Sequence, residues 1–181
     1  MMQSMLASSR SPRPSVATSL LAMCAVVVSL STLPANATQS PRTPPDYRDD
    51  RSTAESVVRS LYNAVNRHEY LRAYSYFSDG PERPDFETFS KGYEATEHVR
   101  LKLGKAVSEG AAGSIYTRLP VAIEAIDSGG AAQVYAGCYT LRLAQPAAQA
   151  TPPFQPLSIT EGTLKPVDAP FDSTSGSCPT N

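Results

Sequence analysis

Between Ala95 and Val99 the spacing of apolar residues changes from helical to alternating, and this change limits the fold more than any other feature of the chain. Ala54, Val58, Leu61 and Val65, joined by Val57 and Tyr62, make one stripe at helical spacing, while Arg59, Asn63 and Arg67 point elsewhere. Ser52-Thr53-Ala54-Glu55 has the pattern of a capping box and announces that helix. Asn66-Arg67-His68 reads as a break, and residues 69–77 resume as a short helix presenting Tyr70, Ala73, Tyr74 and Phe77. Loop chemistry fills residues 78–84. A third helix is expected over residues 85–95, with Asp85 as its cap and Phe86, Phe89 and Tyr93 along one side.

Beyond that point the period is two. Val99, Leu101 and Leu103 alternate with His98, Arg100 and Lys102. Ile115, Thr117, Leu119, Val121 and Ile123 then alternate with Tyr116, Arg118 and Glu124, and Pro120 inside the run predicts a bend, a bulge or an edge position. Asp127-Ser128-Gly129-Gly130 reads as a hairpin turn. Residues 133–143 form the next strand, with Tyr135, Tyr139, Leu141 and Leu143 on one face and Cys138 on the other. A last strand is expected around residues 157–164. Three N-terminal helices followed by about four antiparallel strands, without strand–helix alternation, define an α+β class: helices packed on one face of a curved antiparallel sheet.

The ends of the chain differ in character. Residues 1–37 read as a cleavable signal peptide: Arg10 and Arg13 with no acid, then an apolar run through Leu20 to Val28, then Pro34 and Ala35-Asn36-Ala37 as the cleavage site. The apolar run is short and diluted by Ser and Thr, which argues against a retained membrane anchor. Met23 before Cys24 argues against a lipid-attachment site. Residues 38–50 carry Pro41, Pro44 and Pro45 among charges and read as a disordered linker. The folded domain is expected over residues 51–167, and residues 168–181 as a C-terminal tail.

With 16 basic and 17 acidic residues the whole chain is close to neutral, and losing the signal peptide removes two arginines and no acid. A mildly acidic domain does not attract nucleic acid or an anionic lipid surface, so neither is an expected partner of the mature chain. Cleavage also removes Cys24 and leaves Cys138 and Cys178, an even pair that in an oxidising compartment predicts a disulfide tethering the tail to the sheet. His68 and His98 are the only histidines, and no H-x-x-x-H or C-x-x-C spacing occurs, so no metal site is expected. The sequence also lacks a nucleophile elbow, a phosphate-binding loop and a dinucleotide fingerprint, and no cofactor is expected.

Residues 54–66, ending in Asn66, followed by Tyr70-Leu71-Arg72-Ala73-Tyr74, resemble the opening of the nuclear transport factor 2-like superfamily, the cone-shaped fold of ketosteroid isomerase, scytalone dehydratase and polyketide cyclases. Phe86-Glu87-Thr88-Phe89-Ser90-Lys91-Gly92-Tyr93 and the strand Val134 to Arg142 look like exported bacterial members of that group. The resemblance implies a cone-shaped pocket between helices and sheet. Tyr62, Tyr93, Tyr116, Arg118 and Tyr139 are the expected ligand-binding residues, with Arg142 and Glu161 as further lining candidates. Glu161, beside Gly162, is the one candidate for a general base, since a carboxylate aimed into an apolar cone would have a raised pKa; a solvated position at a bulge is the alternative. The paired acid/base residues of the isomerases and dehydratases find no match here.

Three functions follow as expectations. The first is an exported, secreted or periplasmic module that binds a small apolar or amphipathic ligand, or a protein partner, without transforming it. The second is an isomerase- or lyase-type enzyme using Glu161 and a tyrosine. The third is an interaction protein that forms a homodimer through its sheet. Export has a direct check: N-terminal sequencing of protein recovered from outside the cytoplasm should start near Thr38, and an intact Met1 in the membrane fraction would contradict it.

Overall fold

Thr53 starts the first helix, α1 (Ala54–Asn66), by accepting a hydrogen bond on its side chain from the Ser56 amide. The cap thus falls one residue later than a box built on Ser52, and Glu55 acts in the first turn as an acid facing the helix dipole. The computed structural model describes residues 43–81 and 83–179. The signal-peptide segment, the first residues of the linker and the last two residues lie outside the described residues. Val57, Val58, Leu61, Tyr62 and Val65 are the buried face of α1. His68 ends the helix with φ of 56°, a left-handed conformation that lets its amide reach Val65 and the Glu69 amide reach Ala64. The next helices are shorter than expected: α2 spans Tyr70–Tyr74, and α3 spans Phe86–Lys91 behind its Asp85 cap.

Six antiparallel strands follow: β1 (Thr96–Leu103), β2 (Val107–Ala111), β3 (Ser114–Asp127), β4 (Ala132–Ala144), β5 (Ser158–Gly162) and β6 (Lys165–Val167). The expected four strands are therefore six, because each outer rail of the sheet is interrupted once. β1 and β2 both pair with β3 along the edge that β4 leaves free, and β5 and β6 both pair with β4 along its other edge. The first interruption is the answer to Pro120. This residue sits inside the longest strand of the sheet, yet its carbonyl accepts from Gly104 between β1 and β2. In an antiparallel ladder the N and O of one residue point to the same side, so the missing N–H of Pro120 faces the gap, where no ladder bond is lost. Gly104 is required there, since a Cβ would lie 2.8 Å from that of Pro120. The second interruption is at Thr163, whose carbonyl passes so close to Gly137 that a side chain at residue 137 would collide with it.

Asn66 fastens the helices to the sheet. Its side-chain oxygen accepts from the Val99 amide (2.7 Å) and its amide nitrogen donates to the Val99 carbonyl (2.9 Å). The main core lies between these layers, with Leu119, Val121, Ile123, Tyr139 and Leu141 from the sheet against Val58, Leu61 and Val65. On its outer edge β5 is covered by residues 76–78: Ile159 donates to Tyr76, and Ser78 donates back to Ile159.

Both flanks of the described residues are more ordered than their composition suggests. Within the expected linker, residues 45–50 are strapped onto α1 and α2: Arg67 donates to the Pro45 carbonyl, Asn63 to that of Asp46, and Arg72 to that of Arg48. Tyr76 reaches the Asp49 carboxylate, and Tyr47 lies under the Arg72 guanidinium at 4.5 Å. These residues are a correction to the disordered-linker reading, because their backbone carbonyls find side-chain donors on the helices.

The C-terminal tail crosses the opposite face of the sheet. Phe171 packs on Ala122 and Val134, and the Lys102 ammonium bonds the carbonyls of Phe171, Asp172 and Thr174. Gly176 lies against the Val121 backbone so closely that only glycine fits. Cys138 and Cys178 are joined as a disulfide, closing a separation of 40 residues. Loop closure of that length is worth about 4 kcal/mol on the chain-entropy model. Replacing both cysteines with serine should cost up to about that much in a denaturant titration, with amide exchange rising first in residues 170–178. Unchanged stability would contradict the tethering role.

Candidate functional site

The parity of β3 and β4 decides which side chains reach the space beneath the helices. From Ser114 to Ile126 each residue of β3 pairs with one of β4 in a single unbroken register, Tyr116 with Arg142, Leu119 with Tyr139, Ile123 with Tyr135. Odd-numbered side chains of both strands face the helices, and even-numbered ones face the tail. Tyr139 and Tyr135 therefore line the cone together with Ile123 and Ala125. Above them stand Tyr62 of α1, Phe89 of α3 and Tyr93, with Leu164 at the side, around a cavity of about 330 Å³.

Within it the Tyr62 and Tyr139 hydroxyls meet at 2.7 Å across 77 residues of sequence. Gly162 makes room for the Tyr139 ring, since a Cβ there would stand 2.7 Å from the ring edge. Burial, and after it the neighbouring Tyr139 and Tyr93 hydroxyls, holds the Tyr62 pKa well above that of an ordinary tyrosine. Burial pushes Tyr139 up to about 12 and raises Tyr93 as well. At neutral pH the site therefore presents neutral hydroxyls. In the Tyr62–Tyr139 pair one hydroxyl donates to the other, and the acceptor keeps its own proton to give to an oxygen or nitrogen of a guest. None of the residues lining this cavity is a carboxylate or an imidazole.

A second cavity of about 400 Å³ abuts the first along Phe89, Tyr93, Tyr139 and Leu164. Phe89 is the hub of the wall between them, with ring centroids 5.2 to 5.6 Å from Tyr93, Tyr74 and Phe77. Phe77, Ile159, Arg83 and Glu161 also line the second cavity, with Ser78, Thr160 and Thr163 among its polar residues.

Of the expected lining residues, the structure brings together Tyr62, Tyr93 and Tyr139 and places Tyr116, Arg118 and Arg142 elsewhere. These three are corrections with one cause: they occupy even positions and project from the far face. Tyr116 is exposed, with the Arg142 guanidinium 5.9 Å from its ring, and Arg142 donates to Ser114. Arg118 bridges Glu109 of β2 and the Pro179 carbonyl, so it holds the tail. Glu161 borders the second cavity with its side chain exposed to water, next to the point where Thr160 is the extra residue of a bulge against β4. The apolar enclosure that a general base would need is not around it. His68 contacts the Tyr70 hydroxyl, outside both cavities. Tyr135, Phe89 and Arg83 were not among the expected site residues. Parity marks Tyr135 and helical spacing marks Phe89, whereas nothing in the loop around Arg83 signals its position.

No protein-family model matches the chain. No curated protein matches it either. Among solved structures it is similar to the β subunit of a protein described as an aromatic-ring-hydroxylating dioxygenase from Novosphingobium aromaticivorans, at 12% identity and a TM-score of 0.40, covering 64% of this chain and 90% of that one. It is also similar to a nuclear transport factor 2-like protein of unknown function from Exiguobacterium sp., at 17% identity and a TM-score of 0.37, covering 65% of this chain and 100% of that one.

Buried neutral tyrosines make the site sensitive to alkali. Their folded pKa values lie above the unfolded value of about 10, so their contribution to stability is complete below about pH 10 and is lost as the pH rises through the folded values. Ultraviolet titration of the folded protein should show Tyr62, Tyr93 and Tyr139 resisting ionisation while exposed tyrosines titrate, with cooperative unfolding near pH 12. Early ionisation of Tyr139, identified by its loss in Tyr139→Phe, would contradict the geometry. The element order of its own structure, helices over one face of a curved antiparallel sheet, gives the chain an α+β fold.

Proposed function

We propose that this domain binds a small, largely apolar molecule in the cone between its helices and sheet, holding one polar atom of that molecule on the Tyr62–Tyr139 hydroxyl pair, and that it does so without catalysis. The observation that carries the reading is that pair, 2.7 Å apart in a cavity lined mostly by aromatic and aliphatic side chains. Apolar walls supply affinity in proportion to the area they bury, about 25 cal/mol per Å², and a few hydroxyls fix orientation. Both cavities fall in the size range of ligand pockets, about 300–1,000 Å³. Tyrosines held neutral by burial stay hydrogen-bond donors and are poorly suited to exchange protons at neutral pH. The disulfide supports a site of action outside the cytoplasm, in the periplasm or secreted.

A thermal-shift screen with neutral aromatic ketones and alcohols tests the reading. A ligand that raises the melting temperature of the wild type should bind about fivefold more weakly to Tyr139→Phe, the loss of about one hydrogen bond, and should be recovered unchanged after incubation. Absence of stabilisation by the whole panel would defeat the binding claim, and chemical conversion of a hit would defeat the non-catalytic one.

A further inference from the structure

Arg83 is the residue that the apolar reading of the cone leaves unexplained. Its guanidinium lies over the Tyr74 ring, 3.5 Å from the centroid, and its side chain is largely buried. One terminal nitrogen bonds the Asp79 carboxylate, but Asp79 itself is fully exposed, a solvent-screened partner of little energetic weight. Its Nε is buried with no hydrogen-bond partner, and it is the only such side-chain atom among the described residues. A buried donor on a cation is costly to leave unpaired. This one belongs to a residue that lines the second cavity, where Phe77, Phe89, Tyr139 and Ile159 form an apolar wall and Ser78, Thr160, Glu161 and Thr163 a polar one.

We propose that the second cavity takes a small organic carboxylate with an aromatic or alkyl body, whose headgroup pairs with the Arg83 guanidinium while the body lies against Phe77 and Phe89. This deepens, and rests on, the proposed ligand-binding function by naming the class of ligand. A guanidinium already held over an aromatic ring has little freedom left to lose on meeting a carboxylate. Glu161 borders the same cavity but is exposed, so water and salt screen its repulsion of the headgroup. It also favours a ligand that enters with its charge at Arg83 and its apolar end turned inward.

The experiment is calorimetric titration with phenylbutyrate and phenylbutanol, molecules of one shape that differ in the headgroup charge. The wild type should bind the carboxylate at least about tenfold more tightly than the alcohol, as expected of a charged hydrogen bond. Arg83→Gln should equalise the two, Arg83→Lys should keep part of the preference, and Glu161→Gln should strengthen carboxylate binding by no more than about twofold and leave the alcohol unchanged. Equal binding of both molecules by the wild type, or a preference that survives in Arg83→Gln, overturns the Arg83 anchor and leaves the apolar cone standing. Binding of neither overturns both. Should Arg83→Gln fail to fold, the wild type still decides: a roughly tenfold rise in salt should weaken the carboxylate and not the alcohol, and equal responses overturn the anchor.

Discussion

The ladder between β3 and β4 governs the rest of this protein. From Ser114 with Ala144 to Ile126 with Ala132 the two strands pair without a slip. Because side chains alternate, a slip of one residue by β4 would turn that strand over relative to β3. It would send Tyr139 and Leu141 to the tail side and aim Cys138 and Arg142 at the helices. The Asp127 turn starts this register, with its carboxylate accepting from the amides of Gly129 and Ala131, and Gly130 at φ 84° completing the reversal. The hydrophobic difference between the faces then keeps it.

From that register the two sides of the sheet take separate duties. The helix side is closed by α1, which Asn66 clamps to β1, and by α3 with its aromatic cluster around Phe89. It remains partly hollow because planar rings there meet edge to face, as Phe77 does Tyr139, or tilted, as Phe89 does Tyr93, and do not interdigitate as aliphatic chains would. Where a polar group is buried there, it meets another of its kind, Tyr62 with Tyr139, which removes the cost of leaving either unsatisfied.

The tail side solves a different problem. An antiparallel sheet can leave one face to water, but Ala122, Val134 and Ala136 make this one apolar at its centre. A short segment around Phe171 covers that patch, held by the Arg100 and Lys102 cations over its ring and by Lys102 on its carbonyls. With few apolar residues of its own, the segment gains its fixed position from these bonds, from the close seat of Gly176 and from the disulfide.

Local periodicity was enough to assign the α+β class, α1 and the two long strands, because a 3.6-residue stripe and a two-residue alternation are properties of the chain alone. The same alternation already separated Tyr116 and Arg118 from Leu119 and Val121. Placing these two in the pocket set an analogy above the residues' own parity, and the structure sided with parity. What the sequence could not carry are relations between distant segments. Nothing local brings the hydroxyl of Tyr62 to that of Tyr139, lays residues 45–50 on two helices, or breaks the outer rails at Gly104 and Thr163. Nor does a loop sequence reveal that the Nε of Arg83 will be buried without an acceptor. Each of these depends on which backbone groups remain unpaired, and how much room remains, once the sheet and helices have packed; that is decided only by the tertiary structure, because burial and hydrogen-bond satisfaction are properties of neighbours that the order of residues does not name.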